Sequence, residues 1–359
     1  MESDHKRQLS QYEGCLLGGA VGDALGYPVE FTSEKSIFHK YGEQGIQTLE
    51  QAGDPAIISD DTQMTLFAAN AIIYSRTHHL NKVDLKSAYL EWLKTQGYSD
   101  DYDPKMWIYE DKRLHHPRAP GITCLNALRY LKQYPELDKA NNNSKGCGTV
   151  MRAAPFGLMA RRNPSADRGD SDYLSLRCAR YDAALTHGHE LAQTSSGMLA
   201  QMVFRITQYP HDPAKEKLAD VLCQSANDTL SALINKAIDL ATATGTDDLT
   251  AIHQLGEGWV AEEALAIAVY CAVRYQDDFA AAIRASVNHK GDSDSTGAIC
   301  GNILGAWLGA EAVGKAFDLS RLELADVIKE IADDLFVAAG DSIPSEGEDP
   351  QWDERYYNR

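Results

Sequence analysis

The sequence contains no run of 18 apolar residues, which excludes a membrane-spanning helix of ordinary length. Its opening residues, MESDHKRQLSQ, lack the apolar stretch of a secretory signal. Basic charge is scarce: 34 Lys and Arg face 52 Asp and Glu, a net charge of −18. So acidic a chain is repelled by phosphate backbones and anionic membranes, which excludes a nucleic-acid binder. An anionic ligand must then be held by local dipoles and single cations. The seven cysteines are odd in number and scattered, with no CxxC pair, so neither a disulfide framework nor a zinc ribbon is indicated. Reduced thiols in a cytoplasmic setting fit better. Alternating β-branched stretches bounded by turns are nearly absent.

Helical periodicity fills the space that strands leave. In YEGCLLGGAVGDALG the apolar residues Leu16, Leu17, Ala20, Val21, Ala24 and Leu25 recur at three-to-four spacing. TQMTLFAANAIIYS, the stretch from Ser195 to Ile206, EEALAIAVYCAVRY and LELADVIKEIADDLF behave alike. The fold class is all-α, and 359 residues with 44% hydrophobic content can bury a large core. No composition shift divides the chain. It reads as an N-terminal extension over 1–11, one domain over 12–340 and a polar tail or surface strap over 341–359. The segments 98–123, 140–150, 162–172 and 242–258 are expected to be its longer loops.

Glycine is placed with a period. Gly14, Gly18, Gly22 and Gly26 stand four residues apart, and so do Gly297, Gly301, Gly305 and Gly309. A glycine inside a helix costs about 1 kcal/mol relative to alanine. Eight such sites imply a return, and close approach of another backbone along a slanting groove supplies one. The two striped helices should be central and tightly packed.

Two aspartate pairs sit at helix starts: SDDT, residues 59–62, and DSDS, residues 292–295. Capping explains one carboxylate at each start, since Ser and Asp are favoured there. It leaves the second unexplained. Cations between the pairs would remove the repulsion, because four carboxylates balance two divalent ions. All-oxygen ligands select Mg²⁺, Mn²⁺ or Ca²⁺ over zinc, and a two-metal centre can grip vicinal hydroxyls and activate water. In GDALGYPVEF, Glu30 follows Gly26 and Pro28, which end the first helix, and is free to reach a nearby site or to remain a solvated surface residue. NSKGCGTVMRAAPFGL offers a Gly-x-Gly turn that can aim N–H groups at an anion. Arg152 in that stretch adds charge or forms an internal salt bridge. His187, in THGHELAQTSSGM, is either a structural hydrogen-bonder or a ligand contact.

These pieces in this order resemble the ADP-ribosylglycohydrolase family. The resemblance runs from about Tyr12 to about Leu308. It is carried by GCLLGGAVGDALGYPVEF, SDDTQM, RAPGITCLNAL, GCGTVMRAAPFGL, THGHELA, GEGWVAEEALAIA and NHKGDSDSTGAICGNILGA. Each motif is weak alone, and the series is specific. The resemblance implies a compact orthogonal all-α helical bundle with a dimetal cleft. It implies Ser59, Asp60, Asp61, Asp292, Asp294 and Ser295 as ligands of two Mg²⁺ or Mn²⁺. Glu30, Asp61 and Asp294 become the catalytic candidates, with Glu30 a mobile acid over the distal ribose. Gly146, Gly148, Thr149, Val150, Met151 and Arg152 match the diphosphate loop, and His187 matches a ligand-lining histidine.

The implied reaction is removal of mono-ADP-ribose from a protein side chain, releasing ADP-ribose. Arginine is the favoured acceptor, because GDALGYPVEF and GWVAEEALAIA look like the bacterial arginine-type branch and an acidic rim suits a guanidinium. Trp259 can line the acceptor or adenine side, or belong to the core. Two other readings compete. One is a two-metal phosphatase acting on nucleotides. The other is an immunity protein that neutralises an ADP-ribosyltransferase toxin by reversal or by binding it.

Overall fold

The computed structural model of the protein describes residues 2–98, 103–159, 161, 170–209, 212–225, 229–340 and 342–358. Among these residues the regular structure is helical, and extended pairing is confined to two isolated bridges, Ala56 with Leu322 and Gly146 with Val260. The all-α expectation holds. Its helices of nine residues or more are α1 (Glu2–Gly26), α2 (Asp60–Thr77), α3 (Leu85–Thr95), α4 (Ile122–Gln133), α5 (Asp170–Thr186) and α6 (Glu190–Gln208). They continue with α7 (Ser231–Thr242), α8 (Ala261–Arg274), α9 (Phe279–Val287), α10 (Ser293–Leu308) and α11 (Ala325–Ala339). No helix among the described residues is long and apolar enough to cross a membrane. All seven cysteines are free.

The two glycine stripes face each other. Helices α1 and α10 run antiparallel, so that Gly14 meets Gly305, Gly18 meets Gly301 and Gly22 meets Gly297. A methyl group on Gly18 would stand 2.5 Å from the Gly301 carbonyl oxygen, and one on Gly297 would stand 2.5 Å from the Gly22 carbonyl. Only glycine permits backbones this close, and the many dispersion contacts they gain offset the propensity cost. Asn302 locks the register by donating from Nδ2 to the Cys15 carbonyl at 2.8 Å. Around this pair, α2 is buried along nearly its whole first four turns and α10 from Ser293 to Trp307. Both are interior helices, not one-sided amphipathic ones.

Antiparallel packing has a positional consequence. The C-terminal end of α1 lies against the N-terminal start of α10, with Gly26 packed on the Ser293 carbonyl and the Asp294 backbone. Whatever follows Gly26 is therefore delivered next to Asp294. Tyr27–Val29 make a single 3₁₀ turn with Pro28 inside it, and the chain leaves at Glu30.

Several sequence expectations need correction. The segment 242–258 is not all loop: Asp248–Leu255 is helical, capped by Asp247 Oδ1 accepting from Thr250 N at 3.0 Å. Within 98–123 there are 3₁₀ turns at Trp107–Glu110 and Lys112–Leu114, and α4 begins at Ile122. Residues 99–102, and 162–169 of the expected loop 162–172, lie outside the described residues. The stretch 1–11 is not a separate extension after Met1, because α1 begins at Glu2 and buries Gln11, whose Nε2 donates to the Ile206 and Ala306 carbonyls. The C-terminal segment is a packed strap. Trp352 and Tyr356 are buried, Tyr356 Oη donates to Asp334 at 2.7 Å, and Arg355 pairs with Asp334 and Glu330 at 2.8 Å each.

Candidate active site

The start of α2 shows how the first aspartate pair is freed from capping. Ser59 is the N-cap, its Oγ accepting from Asp61 N at 3.2 Å. Asp23 reaches across from α1 and accepts from Ser59 N at 2.9 Å and Thr62 N at 3.1 Å, with a short bond from the Thr62 hydroxyl as well. Those bonds meet the needs of the helix terminus. Asp60 turns instead to the Gly121 N–H at 3.1 Å, and Asp61 Oδ2 is buried with no hydrogen-bond partner. At α10 the capping reading is partly right: Asp292 is the N-cap and accepts from Ser295 N at 3.3 Å, while Asp294 Oδ1 accepts from the same N–H at 3.0 Å.

The two helix starts and the α1 exit converge on one cleft of about 540 Å³. Glu30, Asp60, Asp61, Asp292, Asp294 and Ser295 all line it, and Ser59 lies buried beneath them. Carboxylate oxygens of Glu30, Asp292 and Asp294 lie within 4.8 Å of one another. No Lys or Arg is among the described residues lining the cleft. The electrostatics follow. Burial first, then Asp294, Asp292 and Asp60, push the Glu30 carboxyl up to about 10. Burial raises Asp60, Asp61, Asp292 and Asp294 as well, and at Asp61 and Asp292 the neighbouring carboxylates add to it. Asp23 rises to about 7 through burial and Asp294, against the bonds it accepts from Thr62 and Ser59. Burial without a countercharge disfavours the charged form of each of these carboxyls.

A hard divalent cation fits this donor set. The orphaned Asp61 oxygen and the clustered carboxylates, with no Lys or Arg among the described lining residues, call for positive charge. The ligands on offer are oxygens. Cys124 and Met151 also line the cleft, and Cys147 Sγ donates to Asp292 Oδ2 at 2.6 Å, where burial with the Asp292 charge raises its thiol pKa.

The opposite wall is the expected anion loop, and it divides in two. Gly146, Gly148, Met151 and His187 line the cleft. Both glycines let the loop pass over the His187 ring: a Cβ at Gly146 would stand 3.2 Å from Nε2, and one at Gly148 would stand 3.4 Å from Cε1. Thr149, Val150 and Arg152 do not reach the cleft, since all three are fully buried. Thr149 Oγ1 donates to the Ala192 carbonyl. Arg152 is an internal ion pair with Asp182, Nε to Oδ2 at 3.0 Å, so the phosphate-contact expectation for it gives way to the salt bridge. Nor do all the loop N–H groups face a ligand: Gly146 N donates to Ser144 Oγ and Cys147 N to the Trp259 carbonyl. The stretch 147–152 is a 3₁₀ helix, and the α-helix that follows it is short, Ala154–Leu158.

The family model for ADP-ribosylglycohydrolase matches residues 4–344. The chain belongs to the ADP-ribosylglycohydrolase family. The ADP-ribosyl-[dinitrogen reductase] glycohydrolase of Rhodospirillum rubrum is 25% identical over 347 residues, covering 94% of this chain and 98% of that one. An uncharacterized protein of Archaeoglobus fulgidus is 28% identical over 300 residues, covering 82% and 87% respectively. A solved structure described as an ADP-ribosylglycohydrolase-related protein complex aligns with a TM-score of 0.60 at 22% identity, covering 93% of this chain and 100% of that one. That likeness shows the ADP-ribosylglycohydrolase fold. Membership makes the protein a hydrolase of this family, acting on ADP-ribosylated substrates.

Sequence reasoning missed several residues of this ADP-ribosylglycohydrolase cleft. Phe31 is 73% exposed, holds a positive φ of 57° and stacks on Trp259 with ring centroids 5.1 Å apart. Trp259 itself lines the cleft, which decides against a core position. Ala119–Gly121 and the start of α4 through Cys124 also line it, with Ile122 75% exposed. Exposed apolar residues beside Gly and Pro were the available signal. Asp23 gave none, because a single aspartate in a glycine-rich helix carries no spacing to interpret.

Proposed function

We propose that this protein is a cation-dependent hydrolase that removes mono-ADP-ribose from an arginine side chain of a protein. The observation that carries the reading is the meeting of Glu30, Asp60, Asp61, Asp292 and Asp294 in one cleft with no Lys or Arg among the described residues that line it. Ser59, Asp60, Asp61, Asp292, Asp294 and Ser295 would hold two Mg²⁺ or Mn²⁺. When bound, such ions supply Lewis-acid stabilisation and a grip for vicinal hydroxyls.

The chain's own residues account for the rest. Gly146, Gly148, Met151 and His187 bind the nucleotide end and orient the ribose toward Glu30. The C1″–N bond breaks, the oxygen of water bonds to C1″, and the proton that water gives up passes through Glu30 to the departing nitrogen. The carboxylates stabilise positive character at C1″ as the bond lengthens. Phe31 and Trp259 form an aromatic wall beside Glu30, against which a guanidinium gains cation–π attraction. The R. rubrum relative, whose substrate is a protein carrying ADP-ribose, supports a protein substrate here. ADP-ribose is then the product.

The test is incubation with proteins mono-ADP-ribosylated on arginine or on serine, with Mg²⁺, with Mn²⁺ and with EDTA, followed by product analysis. ADP-ribose released from the arginine substrate in the presence of cation is expected. Release from serine alone would overturn the acceptor assignment. Inorganic phosphate in place of ADP-ribose would indicate a phosphatase.

A further inference from the structure

Beneath the Gly146–Met151 turn runs a chain of buried polar groups. Tyr89, on α3, donates to Asp182 Oδ1 at 2.5 Å. Arg152 Nε donates to Asp182 Oδ2 at 3.0 Å, and the guanidinium lies over the Tyr89 ring at 4.6 Å. All three side chains are fully buried. From this anchor Arg152 reaches two further acceptors: Nη1 bonds the Gly148 carbonyl at 2.5 Å, and Nη2 bonds Thr186 Oγ1 at 2.9 Å. Thr186 Oγ1 stands 2.9 Å from His187 Nδ1. The chain ends at the cleft, where His187 is 1% exposed and lines the wall beside Gly146 and Gly148. Among the described residues, His187 Nε2 has no hydrogen-bond partner in the protein.

The groups around the Thr186 hydroxyl favour one tautomer of the ring. A guanidinium only donates, so Arg152 occupies one of the two lone pairs of the Thr186 oxygen, and an Nδ1–H donating to the other would leave the hydroxyl proton to the Cys124 sulfur. The hydroxyl has one proton to give. His187 Nδ1 and the Cys124 sulfur, which also hydrogen-bonds Thr186, compete for it. The imidazole nitrogen is the stronger acceptor, sulfur being a weak one. If Nδ1 accepts, the proton of a neutral ring is on Nε2. The ring is neutral, because burial and the Arg152 charge lower its pKa to about 3.

We propose that Arg152 and Thr186 are positioning residues that lock His187 as the Nε2–H tautomer, making it a neutral donor into the cleft for an oxygen of the nucleotide. This gives Arg152 a role that its burial permits. It also suits the cleft: an imidazolium would be drawn to the carboxylates, whereas a neutral N–H is free to meet a phosphate or hydroxyl oxygen. The identity of the nucleotide rests on the function proposed above; the tautomer does not.

The test uses the full chain with ¹⁵N-labelled histidine. Long-range ¹H–¹⁵N correlation spectra should show His187 protonated at Nε2 and bare at Nδ1, with the signal assigned by its loss in His187→Gln. Thr186→Val keeps the side-chain shape and removes the hydroxyl. It should abolish the single-tautomer signature and weaken ADP-ribose binding, read by calorimetry, by about tenfold to a hundredfold, the worth of a hydrogen bond to a charged group. Thr186→Ser should restore both. A wild-type proton on Nδ1, or a Thr186→Val variant that keeps the Nε2–H signature, overturns the proposal. The wild-type spectrum decides the matter alone if Thr186→Val does not fold. Wild type that shows the tautomer and binds no ADP-ribose would count against the proposed function instead.

Discussion

Removing divalent cations should lower the melting temperature, and the structure sets the scale. Carboxylate oxygens of Glu30, Asp292 and Asp294 lie within 4.8 Å of one another. Two full charges at that distance repel by about 3.5 kcal/mol at an effective dielectric constant near 20. The cation-free protein must bear this repulsion or take up protons. A cation that binds only the folded state adds about 2.7 kcal/mol at a hundredfold excess over Kd. For 359 residues the unfolding entropy is about 0.75 kcal/mol per degree, so the midpoint should rise by about 3–4 °C per site saturated to that degree. The assay is calorimetric or fluorescence melting in EDTA and in millimolar Mg²⁺ or Mn²⁺. Asp294→Asn supplies the crossing control. Asparagine keeps the bond to Ser295 N but removes a charge from the cluster, so this variant should melt above wild type in EDTA and gain less from cation. Equal wild-type midpoints in EDTA and in cation would refute the argument. A full cation shift in Asp294→Asn would remove Asp294 from the ligand set.

Gly301→Ala should destabilise the fold, because its Cβ would press on the Gly18 carbonyl; overpacking of this kind costs about 1–3 kcal/mol or more, measurable by urea unfolding. Trp352→Ala should cost about 3–5 kcal/mol in the same assay, since this anchor of the C-terminal strap is only 2% exposed. Acid should expose His289, whose Nδ1 accepts from Gly291 N at 3.0 Å and whose pKa burial lowers to about 4. A base held neutral in the folded state binds fewer protons than the unfolded chain, so stability falls as pH drops from about 6.5 toward 4, by up to about 1.4 kcal/mol per unit. Unfolding free energies of His289→Gln should lack that component across the same pH window.

What the sequence made legible was periodic or paired. Glycines every four residues announced the α1–α10 contact because a close backbone approach imposes a strict spacing. Paired aspartates at two helix starts announced the cleft because capping can explain only half of them. What stayed hidden has no such pattern. Asp23 satisfies the α2 terminus from another helix, and nothing in its neighbours reveals the partner. Arg152 stands in a motif that suggests phosphate, yet Asp182, thirty residues on, claims it through the tertiary fold. The C-terminal strap was legible only as an alternative to a tail, because its anchors Trp352 and Tyr356 stand among polar residues. The short helix Asp248–Leu255 was masked by its Thr- and Gly-rich approach, although the Asp247 cap was there to be seen.

The central claim is that the paired aspartates are cation ligands of an ADP-ribose-releasing site and not merely helix caps. The most direct measurement is the rate of ADP-ribose release from an ADP-ribosylarginine protein by wild type and Asp294→Asn, in saturating Mg²⁺ or Mn²⁺. A cap is worth about 1 kcal/mol, and asparagine caps about as well as aspartate. The capping account therefore leaves the rate near normal. The ligand account predicts a loss of orders of magnitude with the fold intact, because a neutral amide is a poor ligand for a hard divalent ion and the substrate is no longer held in place. A near-wild-type rate in Asp294→Asn would contradict the account.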